Sequence, residues 1–321
     1  MQLNYRIGQK QDFTAFYENC YYPHRKNVEL RRVMKHEWDT FTSNSTTLTL
    51  VIDDSLAPVE TRLVGCGQVV FVSDAFARHA REQAIPWVNL QAANPLPDGS
   101  WPNLDADQAR SANSGDGLNA LITRWDSAEL LPLNDGLRVR ELMMRIFNTY
   151  SRGYNYKEVL FQVIGHDALL KSLNMGFRLR CDYVEFYLCN PPAPPPDKHP
   201  YLLGLHRSEV AAAEGSIAGY LFVYTPPRFY FSPGEQHLLA QALDGKSDQE
   251  VTEIMGCSLA GVKAIWQRVF TRVQNTDPEF LPESRSSTRG LEKRRLLLPY
   301  LHIHPEELRP IKVPSEKSGK R

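Results

Sequence analysis

The sequence predicts an α+β chain: a mixed α/β sheet domain over residues 1–228, followed by an all-α domain. Three observations carry this. Short β-rich runs alternate with helical periodicities up to about residue 227, the pattern of a sheet with helices packed on it. Three helix-sized segments follow within residues 231–273, each opened by a serine. Beyond residue 275 the chain turns polar and basic, with one more short helical run.

In chain order, TTLTLVIDD (46–54) and RLVGCGQVVFVS (62–73) read as two strands of a hairpin. Residues 86–116 are dense in Asn, Pro, Asp, Gly and Ser and read as a long surface loop, part of an insertion near 80–130. GLRVRELMMRIFNTY (136–150) sets Leu137, Leu142, Met143 and Ile146 on one side of a helix. KEVLFQVIG (157–165) reads as a buried strand, HDALLKSLN (166–174) as a short helix and DYVEFYL (182–188) as another strand. PPAPPPDKHP (191–200) is expected to be extended and semi-rigid. A Pro-containing joint near 225–228 leads into the helical domain, expected at 229–275. The extension 276–321 holds RGLEKRRLLLPYL, a short basic helix limited by Pro299, and a disordered tail, VPSEKSGKR.

Lysine plus arginine and aspartate plus glutamate are equal at 37 each, so overall charge selects no class of partner and only its local distribution is informative. No leading apolar run reads as a signal peptide, and no apolar stretch is long enough for a bilayer. A cytoplasmic protein with no membrane contact is expected. Cys20, Cys66, Cys181, Cys189 and Cys257 form no CxxC and no zinc spacing. They read as reduced, packed thiols, and no metal is expected.

Ser232-Pro233-Gly234-Glu235 and Ser247-Asp248-Gln249-Glu250 are capping boxes, in which the serine and the glutamate each satisfy an orphan helix N–H. Gly245 and Gly256 end the first two helices and Ser258 opens the third. At about 100° per residue, Val262, Trp266, Val269, Phe270 and Val273 share one stripe, the core face. Ala260, Lys263, Ala264, Gln267, Arg268 and Thr271 lie opposite. Residues 231–256 carry one lysine against five acids, while 257–273 carry Lys263, Arg268 and Arg272 and no acid. A basic third helix held on two acidic ones suits a polyanion; a solvated basic face is the plainer reading.

With these caps, the segment FSPGEQHLLAQALDGKSDQEVTEIMGCSLAGVKAIWQRVFTRV resembles the helix-turn-helix DNA-binding module of LuxR-type response regulators. FSPGE stands for the family's Leu-Thr-x-Arg-Glu start, DGKSDQEVTEIMGCS for its middle and GVKAIWQRVFTRV for its reading helix. The resemblance implies that Lys263, Gln267 and Arg268 face double-stranded DNA, with Ala264, Thr271 and Arg272 on the same helix and Lys246 and Ser247 near phosphate. Gly261 and Ile265 depart from the family, where a threonine and a polar residue are usual.

VLFQVIGHDALLKSLNMGFRLRCDYVEFY (159–187) resembles the C-terminal half of GNAT-type acyltransferases, with Leu173, Gly176 and Phe177 placed as that family's aliphatic-x-x-Gly-Phe. The hairpin at 46–73 fits its second and third strands, and YRIGQKQDFTAFYENCY its first strand and helix. The family's Arg/Gln-x-x-Gly-x-Gly/Ala turn cradles the pyrophosphate of acyl-CoA. The matching place, PLNDGLRVREL, keeps only Gly136. Gly115-Asp116-Gly117 lies elsewhere, with an acid at its centre.

Other candidates read as structural. Glu158 and Glu185 could serve as bases but suit strand-edge or surface carboxylates. His166 suits a helix start, HRKNVELRR (24–32) a solvated basic helix face, and Lys293-Arg294-Arg295 either a solvated face or added phosphate contacts. The expected function is therefore a DNA-binding transcriptional regulator, homodimeric, with a degenerate acyltransferase-like domain as sensor or assembly module. No cofactor is expected, because the incomplete turn argues against acyl-CoA. Two alternatives stand beside it: an acyl-CoA-dependent N-acyltransferase carrying a helical docking module, and a non-enzymatic scaffold.

Overall fold

The computed structural model describes residues 1–21, 24, 26–281 and 289–312, with side chains from 292 in the last span. The tail read as disordered lies outside these residues. The chain divides into two compact units, Met1–Thr149 with Asn155–Val223, and Tyr150–Tyr154 with Tyr224–Arg321.

The first unit is a mixed α/β structure on a seven-stranded sheet. It runs β1 (Leu3–Ile7), α1 (Phe13–Cys20), α2 (Val28–Ser43), β2 (Leu48–Asp54), β3 (Leu63–Val72), α3 (Asp74–Glu82), α4 (Val88–Ala92), α5 (Ala106–Ser114), β4 (Leu118–Ser127) and α6 (Leu133–Ser151). It continues with β5 (Tyr156–Ile164), α7 (His166–Asn174), β6 (Arg178–Cys181), α8 (Val184–Cys189), β7 (Pro200–His206) and α9 (Ile217–Tyr220). Strand order is β1-β2-β3-β4-β5-β7-β6. β4 and β5 are parallel and every other neighbouring pair is antiparallel. A parallel pair needs a crossover, and α6 supplies it. β3 is buried along almost its whole length, as a strand covered on both faces must be, and its run Val69-Val70-Phe71-Val72 shows no alternation for that reason.

The hairpin, the 136–150 helix, the strand at 157–165 and the helix at 166–174 stand where the sequence puts them. Four readings need correction. Residues 86–116 are not a structureless loop: they include α4 and α5, with Val88, Ala92, Ala93 and Ala109 at most 1% exposed. β4 lies inside the supposed insertion near 80–130 yet occupies the middle of the sheet. DYVEFYL forms α8 instead of a strand, because Tyr183 takes a left-handed backbone (φ 56°) and Asp182 Oδ1 accepts from the Val184 N–H. The proline run turns at Lys198, whose N–H donates to the Pro195 carbonyl, and β7 follows unpredicted. Its first residue, Pro200, sits at a strand start, where a missing donor is tolerated.

The described elements of the second unit are helical: α10 (Pro233–Leu243), α11 (Asp248–Met255), α12 (Leu259–Thr276) and α13 (Arg289–Ile303), then a short 3-10 turn, Pro305–Leu308. Both capping boxes form, Ser258 accepts from the Gly261 N–H, and Gly256 takes the left-handed cap (φ 61°). Val262, Trp266, Val269, Phe270 and Val273 are buried as expected, and Ile265 joins them at 8% exposure. α13 continues through Pro299 instead of stopping there. Leu297 and Leu301, both buried in the helical core, hold it across the lost backbone bond, which by itself costs about 3 kcal/mol.

Candidate active site

β4 and β5 pair from Leu118↔Tyr156 to Ile122↔Phe161 and then part. At that point β4 bulges. Val69 pairs with Ile122 and Gln68 with Arg124, so Thr123 is an extra residue. β5 instead stays with β7 as far as Ile164↔Pro200. Parallel strands that diverge at their carboxyl ends leave a crevice, the usual ligand position in open α/β sheets.

Around the Thr123 bulge, polar groups of several elements are joined by hydrogen bonds. Thr123 Oγ1 donates to Gln68 Oε1 at 2.7 Å, and Gln68 Nε2 donates to Thr49 Oγ1 at 2.8 Å. The Thr123 carbonyl accepts from Asn89 Nδ2 at 2.9 Å and from Arg124 Nη1 at 3.2 Å. Across the gap, Gln162 Oε1 on β5 accepts the backbone N–H groups of Trp87 and Val88 at 2.7 and 3.3 Å. The start of α4 therefore bridges the two strands where they separate. Next along β4, Arg124 is ion-paired with Glu37 of α2, and Asp126 Oδ1 accepts from the Tyr21 hydroxyl at 3.1 Å. Burial pushes the Asp126 carboxyl above its ordinary range, against the pull of Arg124, and burial raises Tyr21 as well.

The loop 128–132 carries the chain from β4 into α6, so the helix N-terminus sits at the same end of the sheet. Gly136 is the single glycine of its first turn, as the sequence shows. Arg138 lies 3.4 Å from Asp135, and Arg140 folds back so that a Cβ on Gly136 would stand 3.5 Å from its Nη2. Two guanidiniums and one carboxylate thus gather over the first turn of α6, in place of a glycine-rich loop.

Glu158 requires correction. It is 2% exposed, lies in mid-sheet on β5 and pairs with Arg81 of α3, with Arg180 Nε 3.9 Å away. Burial raises its carboxyl while the two arginines oppose that shift. Arg180 also pairs with Glu209, whose carboxyl is lowered to about 2, chiefly by that bond. His166 is exposed at a helix start, as read, and Glu185 is an exposed carboxylate at the start of α8 and not on a strand. Arg31 and Arg32 of the 24–32 run pair with Glu18 and Glu29.

The residues expected to meet DNA fall into two groups, one exposed together on α12 and one engaged within the helical unit. Lys263, Ala264, Gln267, Arg268 and Thr271 are exposed on α12. Arg272 turns inward, donating from Nε to the buried Glu235 carboxylate at 2.9 Å. Lys246 lies 3.9 Å from Glu250, and Ser247 is used as the cap of α11. Lys293 is 6% exposed beside the Phe270 ring, and Arg294 makes a two-pronged contact with Asp248 at 2.8 and 2.9 Å and lies 4.1 Å over the Trp266 ring. These two are internal to the helical unit and do not extend a phosphate-binding surface. Among the described residues, no group of His, Cys, Asp and Glu could hold a metal, and no helix is long and apolar enough to cross a membrane. All five cysteines are free. Asn89, Thr123 and Gln162 were not singled out by sequence; nothing local marks a carboxamide or a carbonyl that acts across the sheet.

No family model and no curated protein matches the chain. Solved structures similar to it include Arabidopsis thaliana NAA60 in complex with acetyl-CoA, at 12% identity and a TM-score of 0.37, covering 64% of this chain and 99% of that one. A SpeG spermidine N-acetyltransferase chimera from Vibrio cholerae and hSSAT is 11% identical with a TM-score of 0.35, covering 65% and 98%. The NatC complex bound to Gag peptide and CoA is 9% identical with a TM-score of 0.33, covering 64% and 99%. These comparisons give no support to the regulator function, the LuxR-like assignment or the double-stranded DNA partner, and the expectation of no cofactor is withdrawn, since two of these structures hold CoA or acetyl-CoA.

Proposed function

We propose that the first unit is an acyl-CoA-dependent N-acyltransferase. The observation that carries this is the parting of the parallel pair β4–β5 at the Thr123 bulge, next to the start of α6. Past Ile122, the edge of β4 is free of β5, and an extended chain with amide groups can lie along such an edge as an added strand. The first turn of α6 offers backbone N–H groups and a favourable dipole for a pyrophosphate. Arg138 and Arg140 supply charge there that a bare glycine turn does not, and guanidinium–phosphate pairs are strong ones. Asp135 opposes them in part. These residues fit the phosphate end of acyl-CoA by charge, and the free edge of β4 fits its amide-bearing arm.

Acyl-CoA supplies an activated acyl thioester for transfer to an amine. The chain's contribution is to place that thioester at the carboxyl end of β4 and to shield it from water beneath α2 and α4. Calorimetric titration of the full chain with acetyl-CoA, together with a thiol-release assay using primary amines, tests the reading. Binding with amine-dependent thiol release supports it; absence of binding overturns it.

A further inference from the structure

Residues 84–89 cross the mouth between β4 and β5, and their seat there is costly. Ala84 and Trp87 both take left-handed backbone, with φ of 48° and 68°, a conformation that strains residues other than glycine. The Asn89 carboxamide oxygen is buried with no hydrogen-bond partner, which is unfavourable for any buried acceptor. Ile85 and Trp87 remain exposed at 39% and 52%, so burial of these side chains does not offset the strain. Three hydrogen bonds tie the segment to the two strands, from the Trp87 and Val88 N–H groups to Gln162 and from Asn89 to the Thr123 carbonyl, while Gln91 Nε2 donates to the Ile85 and Pro86 carbonyls and the Val88 side chain is buried. Behind it, Ala92 and Ala93 are fully buried and act as a root.

Resting on the acyltransferase reading, we propose that residues 84–89 form an autoinhibitory strap. It occupies the opening that the acyl thioester needs, and ligand binding displaces it. The groups that the strap now uses, the Thr123 carbonyl and the Gln162 carboxamide, border the parted edge of β4. Strap and ligand therefore compete, and apparent affinity falls by the fraction of molecules with the strap seated. A change that loosens the strap tightens acyl-CoA binding, and one that relieves its strain weakens it.

Two variants of the full chain push in opposite directions. Gln162→Leu removes the acceptor of two strap N–H groups and is expected to tighten acetyl-CoA binding by about fivefold. Trp87→Asn places at φ 68° a residue that tolerates left-handed backbone and is expected to weaken binding by about threefold. In the parent, hydrogen exchange at the Trp87 and Val88 amides is expected to speed up when acetyl-CoA saturates the chain. Opposite shifts together with faster exchange support the strap. Shifts in the same direction, or equal affinity in all three proteins, overturn the strap and leave the acyltransferase reading standing. No binding in any of the three overturns both.

Discussion

The guanidinium of Arg124 on β4 is ion-paired with the carboxylate of Glu37 on α2, and both side chains are only 8% exposed. Arg124 directly follows the bulged Thr123, so this pair ties the parted end of β4 to the helix above it. Removing one partner leaves a buried charge uncompensated, which costs about 3–5 kcal/mol. Arg124→Leu is therefore expected to lose that much in urea unfolding. The double variant Arg124→Leu with Glu37→Leu is expected to recover most of it, because two apolar groups of similar size replace a desolvated pair.

Asp126, two residues further along β4, sets a pH dependence. Its Oδ2 atom is buried without a partner, and burial raises the carboxyl above its ordinary 3.8. The folded state thus holds this proton more tightly than the unfolded chain does. Stability from this group is complete below the ordinary aspartate range and falls as pH climbs through the raised value. Relative to Asp126→Asn, the parent is expected to lose stability as pH rises from about 4. Urea midpoints for both proteins across that range check this; a constant difference between them contradicts it.

Between the sheet and α6 lies an apolar cavity of about 20 Å³, lined in part by Gly67, Val69, Trp125, Met143 and Phe147. A Cβ on Gly67 would meet Trp125 carbons at 3.9 Å, ordinary contact, and nothing closer. Gly67→Ala is expected to stabilise the chain by about 0.4–1 kcal/mol, by filling space and by restricting the unfolded chain. Thermal unfolding measures it, and a lowered midpoint rules it out.

What the sequence makes legible is local. Ser232, Ser247 and Ser258 cap their own helices, and Gly256 takes the φ that a C-cap needs, so α10, α11 and α12 can be read from neighbouring residues. β4 cannot. Its Asn119, Thr123, Arg124 and Asp126 look like loop residues until Asp74, Gln68, Glu37 and Tyr21 arrive from elsewhere to satisfy them. Glu158 hides for the same reason, since Arg81 and Arg180 are distant in sequence. Arg272 and Arg294 look free on a helical wheel, because Glu235 and Asp248 are absent from that wheel. The candidate site itself depends on where two strands separate, and no residue type signals that.

The central claim is that acyl-CoA is held at the carboxyl end of β4, with its phosphates over the first turn of α6. Calorimetric titration of the full chain with acetyl-CoA, for the parent and for the double variant Arg138→Glu with Arg140→Glu, tests this most directly. Both side chains are exposed, so folding is expected to survive. The account predicts that the parent binds and that the variant binds at least about tenfold more weakly, as reversing two phosphate-facing charges requires. Binding of equal strength in the two proteins, or none in the parent, contradicts it.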